Sequence, residues 1–207
     1  MAAAKVFPFI EACDLGLLTG RHMYLEFLAP AHREILRPLA RDERIWEFTK
    51  TLLITETYDQ QFDKYFDEAL SFAAKGDQAF AIFAADGRVI GMTRAYDIDR
   101  KVKKVTIGHT WYVPAVWGRA HNKECKLLLL QYIFDTLRFV RADFKVASQN
   151  LRSQKAVAKI GGVKEGILRR FTLRNDGSPT DVFIFSILDN EWPTNKMRLQ
   201  EMVARLG

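Results

Sequence analysis

Two strand-like runs joined through one long helix constrain this chain more than any other feature. The run "KKVTIGHTWYV" (103–113) is rich in β-formers and stops at Pro114, and "ADFKVASQ" (142–149) is a second such run. Between them, "PAVWGRAHNKECKLLLLQYIFDTL" makes a turn and then an amphipathic helix. Strands that follow one another through a helical crossover lie parallel in one sheet. A sheet with such a pair at its centre needs helices over its faces, so the chain is expected to be α/β.

The flanking segments fit that frame. "RHMYLEFLA" alternates Met23, Leu25 and Phe27 against more polar neighbours and reads as a strand. "AHREILRPLARDERIWEF" reads as helical, broken or kinked at Pro38. "TYDQQFDKYFDEALSFAAKG" places Phe62, Phe66, Ala69 and Ala73 on one helical face, with Gly76 as the stop. In "QAFAIFAADGRVIGMTRAYDI" two β-runs flank Asp86-Gly87, a dipeptide suited to a tight hairpin. After the crossover come a short helix in "NLRSQKAVAKIGG", with Ala156, Val157 and Ile160 inward, and a closing hairpin of "GILRRFTLR" and "DVFIFSIL". The predicted order is β-α-α-β-β-β-α-β-α-β-β around one sheet, with no linker.

Composition narrows the class. A 207-residue chain that is 48% hydrophobic can bury one sizeable core, which disfavours disordered and fibrous classes. Cys13 and Cys125 have no framework or metal-ligand spacing, and Cys125 in an apolar helix reads as a buried thiol. The first residues carry Glu11 and Asp14 without a long apolar core, so no signal peptide is expected, and no apolar run suggests a membrane helix. The expected setting is the cytoplasm. The net charge of +6 comes from scattered lysines and arginines with no basic run; it is compatible with nucleic acid and also suits a small polyanion, so charge alone does not decide.

The turn before the long helix is where such an anion would bind. The first N–H groups of a helix have no partner within it and lie at the positive end of its dipole. Gly118 lets a phosphate approach the backbone, and Arg119, His121 and Lys123 could add contacts from the rim. Asn122 or its neighbour is expected to cap, and Glu124 in the first turn agrees with the dipole. Neither the Walker A nor the Rossmann glycine spacing is present, so an ordinary strand-to-helix turn stays open on this motif alone.

The second half of the chain resolves the choice by resemblance. Trp117-Gly118-Arg119-Ala120 with Asn122 and Glu124 comes first, then Asn150 and Ser153, then Gly161 with Glu165-Gly166 and Leu168-Arg169. Asp181 and Glu191-Trp192 complete the ordered set. The set resembles the GNAT superfamily of N-acetyltransferases, and looks closest to the branch of ribosomal-protein N-terminal (alanine) acetyltransferases. It divides the chain into a leader (1–20), the acetyltransferase domain (21–195) and a C-terminal helical extension (196–207). The implied fold is a single mixed sheet of the acyl-CoA N-acyltransferase type, splayed between its two central strands, with flanking helices.

The resemblance implies acetyl-CoA as cosubstrate. Its diphosphate would lie on Gly118, Arg119, Ala120, His121, Asn122 and Lys123. Its pantetheine arm would run past Trp111, Tyr112 and Val113 on one strand and 147–149 on the other, oriented by Asn150. Ser153 would approach the thiol as general acid, and N–H groups around Tyr112 or Val113 would face the oxyanion. Three positions depart from the family pattern: Ala115 stands at a Gln/Arg position, Thr106 where relatives often carry a glutamate base, and Gly162 where Phe is usual. His109 is the nearest titratable substitute for that base, and an exposed α-amine, with a pKa of about 7.7–8.0, is already partly neutral.

The implied partner is an amine acceptor: a protein N-terminus, an amino acid, a polyamine or an antibiotic amine. A homodimer is compatible with the resemblance. The acidic faces formed by Glu56, Asp59, Asp63, Asp67 and Glu68 offer either an attraction for cationic amines or a solvated surface. Because Thr106 replaces the usual carboxylate, a non-catalytic acyl-CoA-binding sensor or structural module is the alternative.

Overall fold

The computed structural model describes residues 18–48, 51, 54–174 and 176–206. Cys13 and nearly all of the expected leader lie outside these residues. Seven strands form one mixed sheet in the order β1-β2-β3-β4-β5-β7-β6. They are β1 (Met23–Phe27), β2 (Gln78–Ala84), β3 (Val89–Asp99), β4 (Lys104–Tyr112), β5 (Arg141–Ala147), β6 (Val163–Leu173) and β7 (Pro179–Leu188). The helices are α1 (Arg33–Leu39), α2 (Glu43–Trp46), α3 (Tyr58–Ser71), α4 (His121–Gln131), α5 (Leu151–Lys159) and α6 (Trp192–Ala204). β4 and β5 are the parallel pair, as the crossover demands, and every other pairing is antiparallel.

Each face of the sheet has its own core. On one face, Cys125, Leu129, Leu130 and Ile133 of the crossover pack with Leu199 and Val203 of α6 against Val105, Ile107, Ala142 and Ile187. On the other, Leu36, Trp46, Tyr58, Phe62 and Phe66 from α1, α2 and α3 cover Ala81, Met92 and Trp111. β2 is buried at all seven positions because both layers cover it. Residues 196–204 belong to the helix that starts at Trp192, and Asp135 holds that helix through Trp192 Nε1 at 2.9 Å and Lys196 Nζ at 2.7 Å. Among the described residues no helix is long and apolar enough to cross a membrane.

Local chemistry places the turns. Gly87 takes φ +84° in the β2–β3 hairpin, and Asp99 Oδ1 accepts the N–H groups of Lys101 and Val102 to tighten the next connection. Pro38 is kept inside α1, and the break follows Leu39, before Asp42 caps α2 by accepting from Arg44 N at 3.1 Å. Ala73 is not on the buried face as expected. The chain tightens to a 3-10 turn at Phe72, which rotates Ala73 into solvent and buries Phe72 instead.

Candidate active site

The parallel pair is paired for only three positions. Lys104, Val105 and Thr106 face Arg141, Ala142 and Asp143, and there the ladder stops although both strands continue. The cause lies in β4. Arg94 pairs with Gly108 and Met92 with Trp111, so His109 and Thr110 together oppose Thr93 as a bulge. His109 accommodates it with a left-handed backbone at φ +48°. β4 therefore veers away while β5 stays in register with β7 through Ala147↔Val182.

A gap between strands leaves backbone groups without partners. Val113 N donates to Ile90 O at 2.9 Å, so the expected use of its N–H as an oxyanion donor is ruled out. Tyr112 alternates with it and directs its polar groups away from β3. Its carbonyl accepts from Trp117 Nε1 at 2.8 Å, and its N–H faces the gap.

The gap opens into a cleft of about 1230 Å³, bounded by α2, β4, the start of α4, β5 and α5. Trp111, Tyr112, Gly118, Arg119, Asn122, Lys123, Asn150, Ser153 and His109 all line it. Thr106 does not: it is 3% exposed and sits at the last ladder position. Ala120 and Val113 also stay off the wall, and His121 lies against His22 on another side of the turn, ring centroids 6.4 Å apart.

Gly118 has φ +76°, and a Cβ built there would meet nothing within 4 Å, so its open side is free for a ligand. The capping position of α4 is Ala120, which has no side-chain acceptor to offer; Asn122, the expected cap, stands inside the first turn and points to the cleft. The first helical bond runs from Glu124 N to Ala120 O, and the N–H groups of 121–123 have no partner among the described residues. Glu124 serves the scaffold. Its carboxylate accepts Arg21 N and His22 N, both at 2.8 Å, and pins the approach to β1 onto α4.

Charge around this turn is one-sided. Arg119, Lys123, Lys126, Arg152, Lys155 and Lys159 line the cleft, with Lys145 paired to Asp97 at 2.7 Å, and no described carboxylate lines it. Burial, aided by Lys159, lowers the pKa of Lys123. Arg152 stacks over Trp117 at 4.2 Å and ties α5 to the turn. Asn150 caps α5, its Oδ1 accepting from Ser153 N at 2.9 Å.

The far wall is aromatic. Trp46 lies 5.7 Å from both Tyr65 and Trp111, and Trp111 Nε1 donates to Tyr65 Oη at 3.1 Å. His109 projects into the cleft beside Tyr96, centroids 5.2 Å apart. His109 is exposed to solvent within the cleft, while Tyr96 and Phe72 pack against its ring and Arg94 lies close by. For a charge that enclosure outweighs the accessible edge, so burial and then Arg94 lower its pKa to about 4. The acidic face of α3 is neutralised away from the cleft: Arg33 and Arg37 bind Asp63 at 2.8 and 2.9 Å, and Arg94 reaches Glu68 at 3.4 Å. Sequence reasoning missed Lys126, whose signal was a charge inside the apolar run "CKLLLL".

With this geometry in place, the family model described as Acetyltransferase (GNAT) domain matches residues 22–163. The chain belongs to this family. "Uncharacterized N-acetyltransferase p20" of Bacillus licheniformis is 28% identical over 123 residues, 59% of this chain and 68% of that protein. Among solved structures, a GCN5-related N-acetyltransferase from Brucella melitensis superposes with a TM-score of 0.78 at 26% identity, over 90% of this chain and 84% of the other. Mycobacterium smegmatis RimJ, in complex with CoA-disulfide, shares the fold at a TM-score of 0.74 and 19% identity, over 87% and 88% of the two chains. The single mixed sheet with its forked centre is the GNAT architecture in this chain.

Proposed function

We propose that this GNAT protein moves an acetyl group from acetyl-CoA to a primary amine, a protein N-terminus or a small-molecule amine, by direct attack in a ternary complex. The observation that carries the reading is continuity: the uncapped start of α4 and the gap beyond Thr106–Asp143 belong to one cleft. The cosubstrate supplies an activated acyl thioester. Its phosphates suit the open side of Gly118, the free N–H groups of 121–123 and the cations of Arg119 and Lys123. The Tyr112 N–H is the donor aimed at the charge that grows on the acyl oxygen. Ser153 lines the cleft as the proposed acid, and Asn150, with its Oδ1 engaged as a cap, keeps its amide NH₂ for pantetheine.

The same cleft narrows the acceptor. A polyamine needs carboxylates to hold its remaining charges, and no described residue on the wall supplies one. A monoamine presented by a peptide N-terminus needs none, and its own pKa makes a strong fixed base dispensable. This supports the ribosomal-protein N-terminal branch. Thr106 behind the wall and a weakly basic His109 favour the second reading, a non-catalytic acyl-CoA binder.

Two measurements separate these. Acetyl-CoA at 100 times Kd should raise stability by about 2.7 kcal/mol, and an unmoved thermal midpoint would refute the cofactor site. Thiol release across α-amines, polyamines and aminoglycosides then tests catalysis: release with α-amines alone is expected, and silence with every amine leaves the binder.

A further inference from the structure

Lys126 is the one buried cation of α4, and no described carboxylate neutralises it. It is 7% exposed, with Cys125 and Leu127 buried on either side. Nζ donates to Thr110 Oγ1 at 2.8 Å, and that hydroxyl shares a bond of 2.8 Å with Thr93 Oγ1. Glu124, the nearest carboxylate in sequence, is spent on the Arg21 and His22 amides. A hydroxyl satisfies one of three ammonium donors and cancels no charge, so the charged form of Lys126 has no counter-ion here until an anion enters. A methionine or leucine would fill the same space without that demand.

Position says which anion. Lys126 lines the cleft about one turn beyond Lys123, and the residue it holds, Thr110, belongs to the bulge where β4 leaves β5. A ligand anchored by phosphate at the start of α4 and reaching the fork brings its reactive end past this amine. The aromatic wall of Trp46, Tyr65 and Trp111 belongs to the core on the α3 face of the sheet, whereas α4 covers the opposite face. Lys126 therefore meets the fork from the side away from that wall, where a leaving group rather than an acceptor would lie.

Resting on the acetyl-transfer reading above, we propose that Lys126 is a catalytic residue whose ammonium faces the thioester sulfur and holds the negative charge it carries away. As the acceptor nitrogen bonds to the acyl carbon, the carbon–sulfur bond breaks and its electron pair leaves with sulfur. The proton lost by nitrogen passes to solvent, and Lys126 stays protonated beside the thiolate until Ser153 gives the sulfur a proton, which Ser153 regains from solvent. Burial lowers the pKa of the Lys126 amine in the free protein, and an anion alongside works in the opposite direction. The stabilisation is thus strongest once the charge has formed.

The test uses CoA and desulfo-CoA, which lacks the sulfur, with the full-length protein. On the wild type, the thiol of bound CoA, followed by thiolate absorbance, should titrate at least about one pH unit below free CoA, a tenfold change in equilibrium. Lys126→Met should abolish that shift and weaken CoA about tenfold at alkaline pH while leaving desulfo-CoA unchanged; Lys126→Arg should retain the shift. Equal weakening of both ligands, or of neither, overturns the proposal. If Lys126→Met does not fold, the wild-type titration decides, since an unshifted thiol is equally fatal. Failure of the wild type to bind either ligand refutes the cleft reading itself, and the role of Lys126 falls with it.

Discussion

Two helices begin on the same cleft and begin differently. α5 is closed by its own chain, with Asn150 Oδ1 on Ser153 N at 2.9 Å. α4 starts at Ala120 with no side-chain cap, behind a left-handed Gly118 and under Arg119 and Lys123. Both starts leave N–H groups that helical bonding cannot use. A side-chain cap is worth about 1 kcal/mol, but α1, α3 and α6 also begin without one, so what sets α4 apart is the left-handed Gly118 and the cations gathered at its start. Leaving one open beside a row of cations is consistent with that start being held for an external anion. The closed start is the scaffold that keeps the second wall in place.

The largest expected effect breaks this contrast at Gly118. Gly118→Asp sets a carboxylate on the open side of the turn and should abolish stabilisation by CoA, about 2.7 kcal/mol at 100 times Kd. Gly118→Ala is the control. Its Cβ meets no protein atom, so its expense is the left-handed backbone alone, about 1–2 kcal/mol in thermal or denaturant unfolding. Should Gly118→Asp bind CoA like the wild type, the two helix starts are equivalent and the cradle is refuted.

Asn150→Ala probes the other start. Loss of the cap should lower stability by about 1 kcal/mol, and the decisive reading is what happens to CoA. If the amide also orients the cofactor, affinity drops beyond the stability effect; if affinity holds, α5 contributes a wall and nothing more. Either outcome sharpens the difference between the helices, because only α4 is expected to lose binding without losing much fold.

The contrast also marks how far the sequence could be read. Crossover and hairpin were legible because each has a local cause: a helix between β-runs demands a parallel pair, and Asp86-Gly87 supplies the positive φ of a tight turn. Gly118 was legible for the same reason. The missed features depend on distant partners. Glu124 looked like a residue serving the helix dipole, and only the fold reveals that it binds amides about a hundred residues earlier. Asn122 or its neighbour looked like a cap, but the helix begins after Ala120, a two-residue detail that periodicity does not fix. Thr106 was chosen by family position, and the end of the β4–β5 ladder leaves it behind the wall. Lys126 was passed over because an apolar run reads as core even with one charge inside it.

The smallest expected effect lies at the bulge between the two helix starts. His109 has its pKa lowered from 6.5 to about 4, first by enclosure and then by Arg94. The unfolded chain therefore binds a proton between these values that the folded chain does not, so stability should fall as pH drops through this window. Above it both states are neutral, and below it both are charged. His109→Asn, chosen because asparagine tolerates the left-handed backbone at this position, should flatten the slope in that window and leave the midpoint near neutrality almost unmoved. Denaturant midpoints compared across that range for the two proteins provide the check. A wild-type minus His109→Asn slope of opposite sign would mean that the imidazolium is held by a carboxylate in the cleft, and the one-sided charge that distinguishes the α4 wall would no longer stand.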